Sequence, residues 1–93
     1  MQITINIEVL KSVQAMTEDE ARHTIEQTER VRINEGPLTG VKKPENQKIT
    51  VEAPTNLGDG PLIIDLIDKH GGITTLAYDL KEKKFLQQEG DEE

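Results

Sequence analysis

The sequence predicts an α+β domain in two layers, a four- to five-stranded, mainly antiparallel sheet with two helices on one face. Three observations predict it. The chain opens on a period-two alternation, with Ile3, Ile5, Ile7 and Val9 separated by Thr4, Asn6 and Glu8. A helix-start signature follows at Thr17-Glu18-Asp19-Glu20. The second half carries three further apolar runs, around Ile49–Ala53, Leu62–Ile67 and Ile73–Leu80. A chain of 93 residues has room for one core, and ten isoleucines must build it, because only Phe85 and Tyr78 are aromatic.

The odd positions of the first segment continue apolar to Val13 and Ala15, so a long strand over residues 2–15 is expected. Lys11 interrupts the series and Leu10 falls on the wrong face, which predicts a bend or bulge there. Thr17 then caps a helix, Glu20 closes the capping box, and Met16 and Ala21 occupy the staple positions. Glu18, Asp19 and Glu20 also suit the positive end of the helix dipole. This helix is expected to reach about Arg30. Its apolar stripe is only Ala21, Ile25 and Thr28, so it docks shallowly and shows most of its surface to water.

Val31–Asn34 alternates and predicts a short strand, and residues 34–48, with two Pro, two Gly and three Lys, predict a surface loop. A strand follows at Lys48–Ala53, ended by Pro54. Asn56–Gly60 reads as a turn into a second helix that begins at Pro61 and ends at Gly71. Leu62, Ile63, Leu66 and Ile67 would form its buried face. A terminal hairpin joins Ile73–Leu80 to Phe85–Gln88 through Lys81–Lys84. Residues 1–88 thus form one domain, and residues 89–93 an acidic, disordered tail.

The net charge of −7 is unevenly placed. Residues 17–30 carry −3, residues 89–93 carry −4, and the remainder is neutral. An acidic chain does not grip phosphate backbones, so no direct nucleic-acid binding is expected. Lys42, Lys43 and Lys48, and Lys81, Lys83 and Lys84, lack the stacking aromatics of a sheet-type nucleic-acid site and read as solubilising loop charge. The absence of cysteine excludes disulfides and thiolate metal sites. No apolar run is long enough for a membrane span, and the start of the chain has no signal-peptide pattern, so a cytoplasmic protein is expected.

Chemical motifs are sparse. On a helix, Asp65 and Asp68 are neighbours, but His70 points about 160° from Asp68, so the three do not converge on a metal ion. Gly58-Asp59-Gly60-Pro61 has the wrong charge and one donor too few for a phosphate loop, and is read as a turn before a helix. His23 has no ligand or nucleophile at suitable spacing. No catalytic residue, metal or cofactor is therefore assigned, and the chain is expected not to be an enzyme. Glu18, Asp19, Glu26 and Glu29 lie largely off the stripe of the first helix that packs. They are the candidate partner-binding residues, an acidic face for a basic protein or a mimic of nucleic-acid phosphates. The plainer reading is a solvated helix whose acids match its dipole.

The run Val13-Gln14-Ala15-Met16-Thr17-Glu18-Asp19-Glu20-Ala21 is similar to a strand-to-helix junction common in short bacterial, plasmid and phage proteins. The resemblance covers about a sixth of the chain and has a generic cause, a strand followed by a capping box. It implies an accessory protein of a phage or mobile element and names no family. The function expected is a small acidic protein-binding module, such as an inhibitor or adaptor of a basic or nucleic-acid-handling partner. The alternatives are self-assembly, as a homodimer paired along the first strand, and a small-ligand site between subunits.

Overall fold

The structure, a computed structural model, describes residues 2–41, 47–53 and 61–87. The tip at Lys42–Asn46, the stop at Pro54, the turn at Asn56–Gly60 and the tail at residues 89–93 lie outside the described residues. The order is β1 (Gln2–Asn6), α1 (Ile7–Gln14), α2 (Glu18–Gln27), β2 (Thr28–Ile33), β3 (Leu38–Gly40), β4 (Lys48–Glu52), β5 (Pro61–Asp68), β6 (Ile73–Asp79) and β7 (Lys84–Phe85). An antiparallel five-stranded sheet runs β3-β2-β5-β6-β7, and β1 pairs with β4 in a separate antiparallel ribbon. The α+β class stands, while two of its elements differ from the sequence reading.

The first difference is the strand over residues 2–15, which ends at Asn6. Ile3 and Ile5 are buried against Val51 and Ile49 across the ribbon, but from Ile7 onward the chain is helical. Asn6 caps that helix, its side-chain oxygen accepting the N–H of Val9 at 2.9 Å. Ile7, Leu10 and Val13 recur every three residues, and Leu10 and Val13 are buried. A strand would have turned Leu10 to solvent, and a helix turns it inward. Ala15 ends α1 in the left-handed conformation at φ 55° and returns its N–H to the Leu10 carbonyl. The junction likened to those of short phage and plasmid proteins is therefore helix-to-helix here.

The second difference is the predicted helix from Pro61, which is β5, the central strand of the sheet. Leu62, Ile64 and Leu66 point into the core, while Asp65 is buried on the opposite side. β5 is apolar on both faces, with Ile63 and Ile67 flanking Asp65 on the outer one, so it loses its alternation and reads as one apolar run, indistinguishable by periodicity from a short buried helix. Gly71, expected to end a helix, has φ 87° and turns the chain between β5 and β6 instead. There Asp68 Oδ1 accepts the N–H groups of His70 and Gly72, both at 2.8 Å.

Of the remaining elements, the end of α2 and the strand β3 depart from the sequence reading and the others follow it. Thr17 and Glu20 form both bonds of the capping box, at 3.1 and 2.9 Å. Helix α2 stops at Gln27 rather than Arg30, because Val31 and Ile33 pair with Leu66 and Ile64 of β5. The loop expected at residues 34–48 holds the short strand β3. The terminal hairpin is present, with Tyr78 and Phe85 in edge-to-face contact at 4.9 Å.

One core joins all of this. Leu10 and Val13 of α1, Ala21 and Ile25 of α2, and Ile3, Ile5, Ile49 and Val51 of the ribbon cluster with Leu62, Ile64, Leu66 and Leu76 of the sheet. The sheet is one layer, and the two helices with the β1–β4 ribbon form the other. Side-chain bonds fasten the helical layer to the far edge of the sheet. Gln14 donates to the Thr75 carbonyl at 2.7 Å, and Gln87 donates to the Ser12 carbonyl at 3.3 Å.

Candidate functional site

Three of the four acids singled out in the sequence lie on α2 and the fourth, Glu29, on β2, and the structure divides them into two kinds. Glu18 and Asp19 open α2, where the free backbone N–H groups favour carboxylates. Both are held by one cation, since Arg22 reaches Glu18 at 2.9 Å and Asp19 at 3.0 Å. Lys11 of α1 adds a longer contact to Glu18, at 3.9 Å. Glu20 is committed to the capping box. The front of the helix is thus a partly neutralised, geometrically fixed cluster.

Glu26 and Glu29 differ. Both are exposed, and no described residue forms an ion pair with either. Glu26 lies seven positions beyond Asp19, which places the two within about 20° on the same helix face, about 10 Å apart along the axis. Glu29 is not on the helix. It belongs to β2, in the irregular step between Thr28 and Arg30, and its carbonyl accepts the N–H of Val41. The expected four-residue helix face is therefore a three-residue ridge, Glu18, Asp19 and Glu26, with Glu29 on the adjoining strand. Only Ala21 and Ile25 of α2 are buried in the core, so the rest of the helix faces water or its own polar neighbours.

The other residues weighed in the sequence are dispersed. His23 is exposed on α2, and His70 is exposed in the β5–β6 turn. Asp65 and Asp68, neighbours on the expected helix, are separated by the strand geometry. Asp65 lies on the sheet face away from the core, and Asp68 holds the turn. The Asp68 carboxyl sits below its ordinary value, chiefly because the Gly72 N–H donates to its charged form. Burial opposes that shift, while the His70 and Gly71 N–H groups and the charge of His70 add to it. Among the described residues no three His, Cys, Asp or Glu side chains gather at metal-binding distance.

Compared with family models, curated proteins and solved structures, the chain matches none. No described helix is long and apolar enough to cross a membrane.

Two features escaped the sequence. One is a cleft of about 290 Å³ between β2–β3 and β4, lined by Val31, Ile33, Val41 and Val51 with Asn34 and Thr39 among its polar groups. It lies within a single chain. Asn34 is already committed there, accepting the Ile63 N–H at 2.9 Å. The other is a three-residue network on the outer face of the sheet. Asp65, only 6% exposed, accepts from Arg32 Nε at 3.0 Å and from the Thr75 hydroxyl at 2.8 Å. The three residues sit side by side on β2, β5 and β6, a pairing invisible until the strand register is known.

Proposed function

We propose that the protein is a non-catalytic protein-binding module whose acidic ridge, Glu18, Asp19 and Glu26 with Glu29 beside it, docks on a basic partner. The observation that carries this reading is the pair of exposed carboxylates, Glu26 and Glu29, with no ion pair among the described residues. Carboxylates already bridged within the chain add little to a partner's affinity, whereas unbridged ones attract cations at long range and steer association. Glu18 and Asp19, already bridged by Arg22, add little attraction and border the contact at the front of the helix. An inhibitor or adaptor acting on a nucleic-acid-handling protein suits this chemistry, because such partners present lysine and arginine to phosphate.

The test begins with affinity capture from the native host and identification of the bound protein. The purified pair is then titrated against the Glu26→Lys/Glu29→Lys variant. The reading expects a loss of about ten-fold in affinity or more, roughly 1.4 kcal/mol, and weaker binding as salt rises. A variant that bound its partner with unchanged affinity and unchanged salt dependence would remove the acidic ridge from the interface.

A further inference from the structure

The described large apolar side chains that are most exposed are Leu38 at 48%, Ile73 at 55% and Leu86 at 38%. All three lie on the same surface, the face of the five-stranded sheet that points away from the helices. Leu38 neighbours Arg32, Ile73 neighbours Ile67, and Leu86 bonds through its N–H to Ala77, whose cross-strand partner is Ile63. Strand pairing places directly opposed residues on one face, so Ile63, Ile67 and Ala77 join them in two aliphatic rows, Ile67–Ile73 and Ile63–Ala77–Leu86, on either side of the row Arg32–Asp65–Thr75 that Leu38 adjoins. At its centre Asp65 is shielded and fully partnered by Arg32 and Thr75. Exposed aliphatic rows around a shielded, fully partnered carboxylate have the anatomy of an interface.

The charge of the face bears on what covers it. Arg30, Arg32 and Lys84 face outward with Asp65 and Asp79, leaving the face close to neutral in a chain of net charge −7. Two copies meeting through α2 would set carboxylate against carboxylate. Two copies meeting through the sheet bring together the surface where their charges oppose contact least. The shape is compatible, because two twisted sheets pack face to face with their strands about 30° apart. Strands of 3, 6, 8, 7 and 2 residues, about 4.8 Å apart and rising about 3.3 Å per residue, span roughly 400 Å² in projection. Side-chain relief and Leu86 beyond β7 add to this, which makes a small interface, below the ~800 Å² per partner of a standard one, and so a dimer that forms at high concentration.

We propose that this outer sheet face is the homodimer interface of the protein, with the sheets of two copies packed face to face and the Arg32–Asp65–Thr75 network fixing their register. Such a dimer buries the sheets and turns both acidic helices outward, so it is compatible with the ridge as a partner site and does not depend on it.

The test is sedimentation equilibrium of the full chain from micromolar to millimolar concentration, at low and moderate salt. The wild type is expected to approach twice its 10.4 kDa mass, and to associate more tightly as salt screens the like charge of the two copies. Ile73→Asp, at an exposed position, is expected to weaken association at least ten-fold while keeping the circular dichroism of the wild type. Glu26→Lys, in the opposite layer, is expected not to weaken it. Mixed isotope labelling supplies a readout that needs no variant, since intermolecular NOEs should connect the Ile73 and Leu86 methyl groups to the partner's sheet. A wild type still monomeric at millimolar concentration overturns the proposal. So does a dimer that Ile73→Asp leaves intact, or one whose intermolecular NOEs lie elsewhere. None of those outcomes touches the salt-weakened binding of a basic partner to α2.

Discussion

Asp65 is the residue whose role changed most between sequence and structure. On a helix it would have been one solvated acid among several, whereas on β5 it is a buried carboxylate with two donors. Removing one partner of a buried pair leaves an uncompensated charge. Arg32→Met is therefore expected to cost about 2 kcal/mol in urea denaturation, at the low end for a buried pair because Arg32 retains contact with solvent. Replacing both residues with aliphatic ones of similar size should recover most of that loss, which a double-mutant cycle would detect. Asp68 gives the complementary case, a carboxyl whose charged form the turn favours. Its folded value lies below its unfolded one. Its stabilising contribution is therefore fully present above the unfolded value and disappears as pH falls through the folded value. An NMR titration of the Asp68 carboxyl should show the depressed midpoint. In Asp68→Asn that component of the pH dependence should vanish from stability curves.

Among the elements, α2 was legible and α1 was not, for a physical reason. The capping box at Thr17 and Glu20 is a local signal that fixes the helix start whatever packs on it. Residues 7–14 satisfy two periods at once. Ile7, Val9 and Val13 fit a strand, while Ile7, Leu10 and Val13 fit a helix. The Asn6 cap decides between them, together with the burial that Leu10 gains only in the helix. Asn6→Ala should accordingly cost about 1 kcal/mol and reduce the helical circular dichroism signal, as Thr17→Ala should for α2. If residues 7–14 were extended, Asn6→Ala would leave the helical signal unchanged. The β5 segment was misassigned for a related reason, because a run apolar on both faces carries no period to read. The edge strand β3, three exposed residues within a Gly- and Pro-rich loop, had no local signal and exists through its pairing with β2.

At the level of the molecule, charge and apolar surface are segregated into opposite layers. The acidic ridge belongs to the helical layer, and the exposed aliphatic residues belong to the outer face of the sheet. The two surfaces should respond to ionic strength with opposite signs. Raising salt from about 50 to 500 mM is expected to loosen a complex between α2 and a basic protein and to tighten self-association through the sheet. Calorimetric titration and sedimentation across the same salt series would separate the two. A common sign for both would show that one surface carries both activities.

The sequence by itself determined the fold class, the start of α2, the strand at β4, the terminal hairpin and the location of the acidic charge. Each rests on a signal contained within a few residues: a cap, a clean alternation or a count of charges. Tertiary structure alone decided that residues 7–14 coil, that Leu62–Ile67 extend as the central strand, and that Arg32, Asp65 and Thr75 meet. These outcomes depend on which surface covers a segment, and a segment apolar on both faces, or compatible with two periods, does not encode that in its own pattern. The ridge at Glu18, Asp19 and Glu26 was readable because it is helical and local. The outer face of the sheet was not, because its residues come from β2, β3, β5 and β6 with Leu86 beyond β7, and only strand register brings them together.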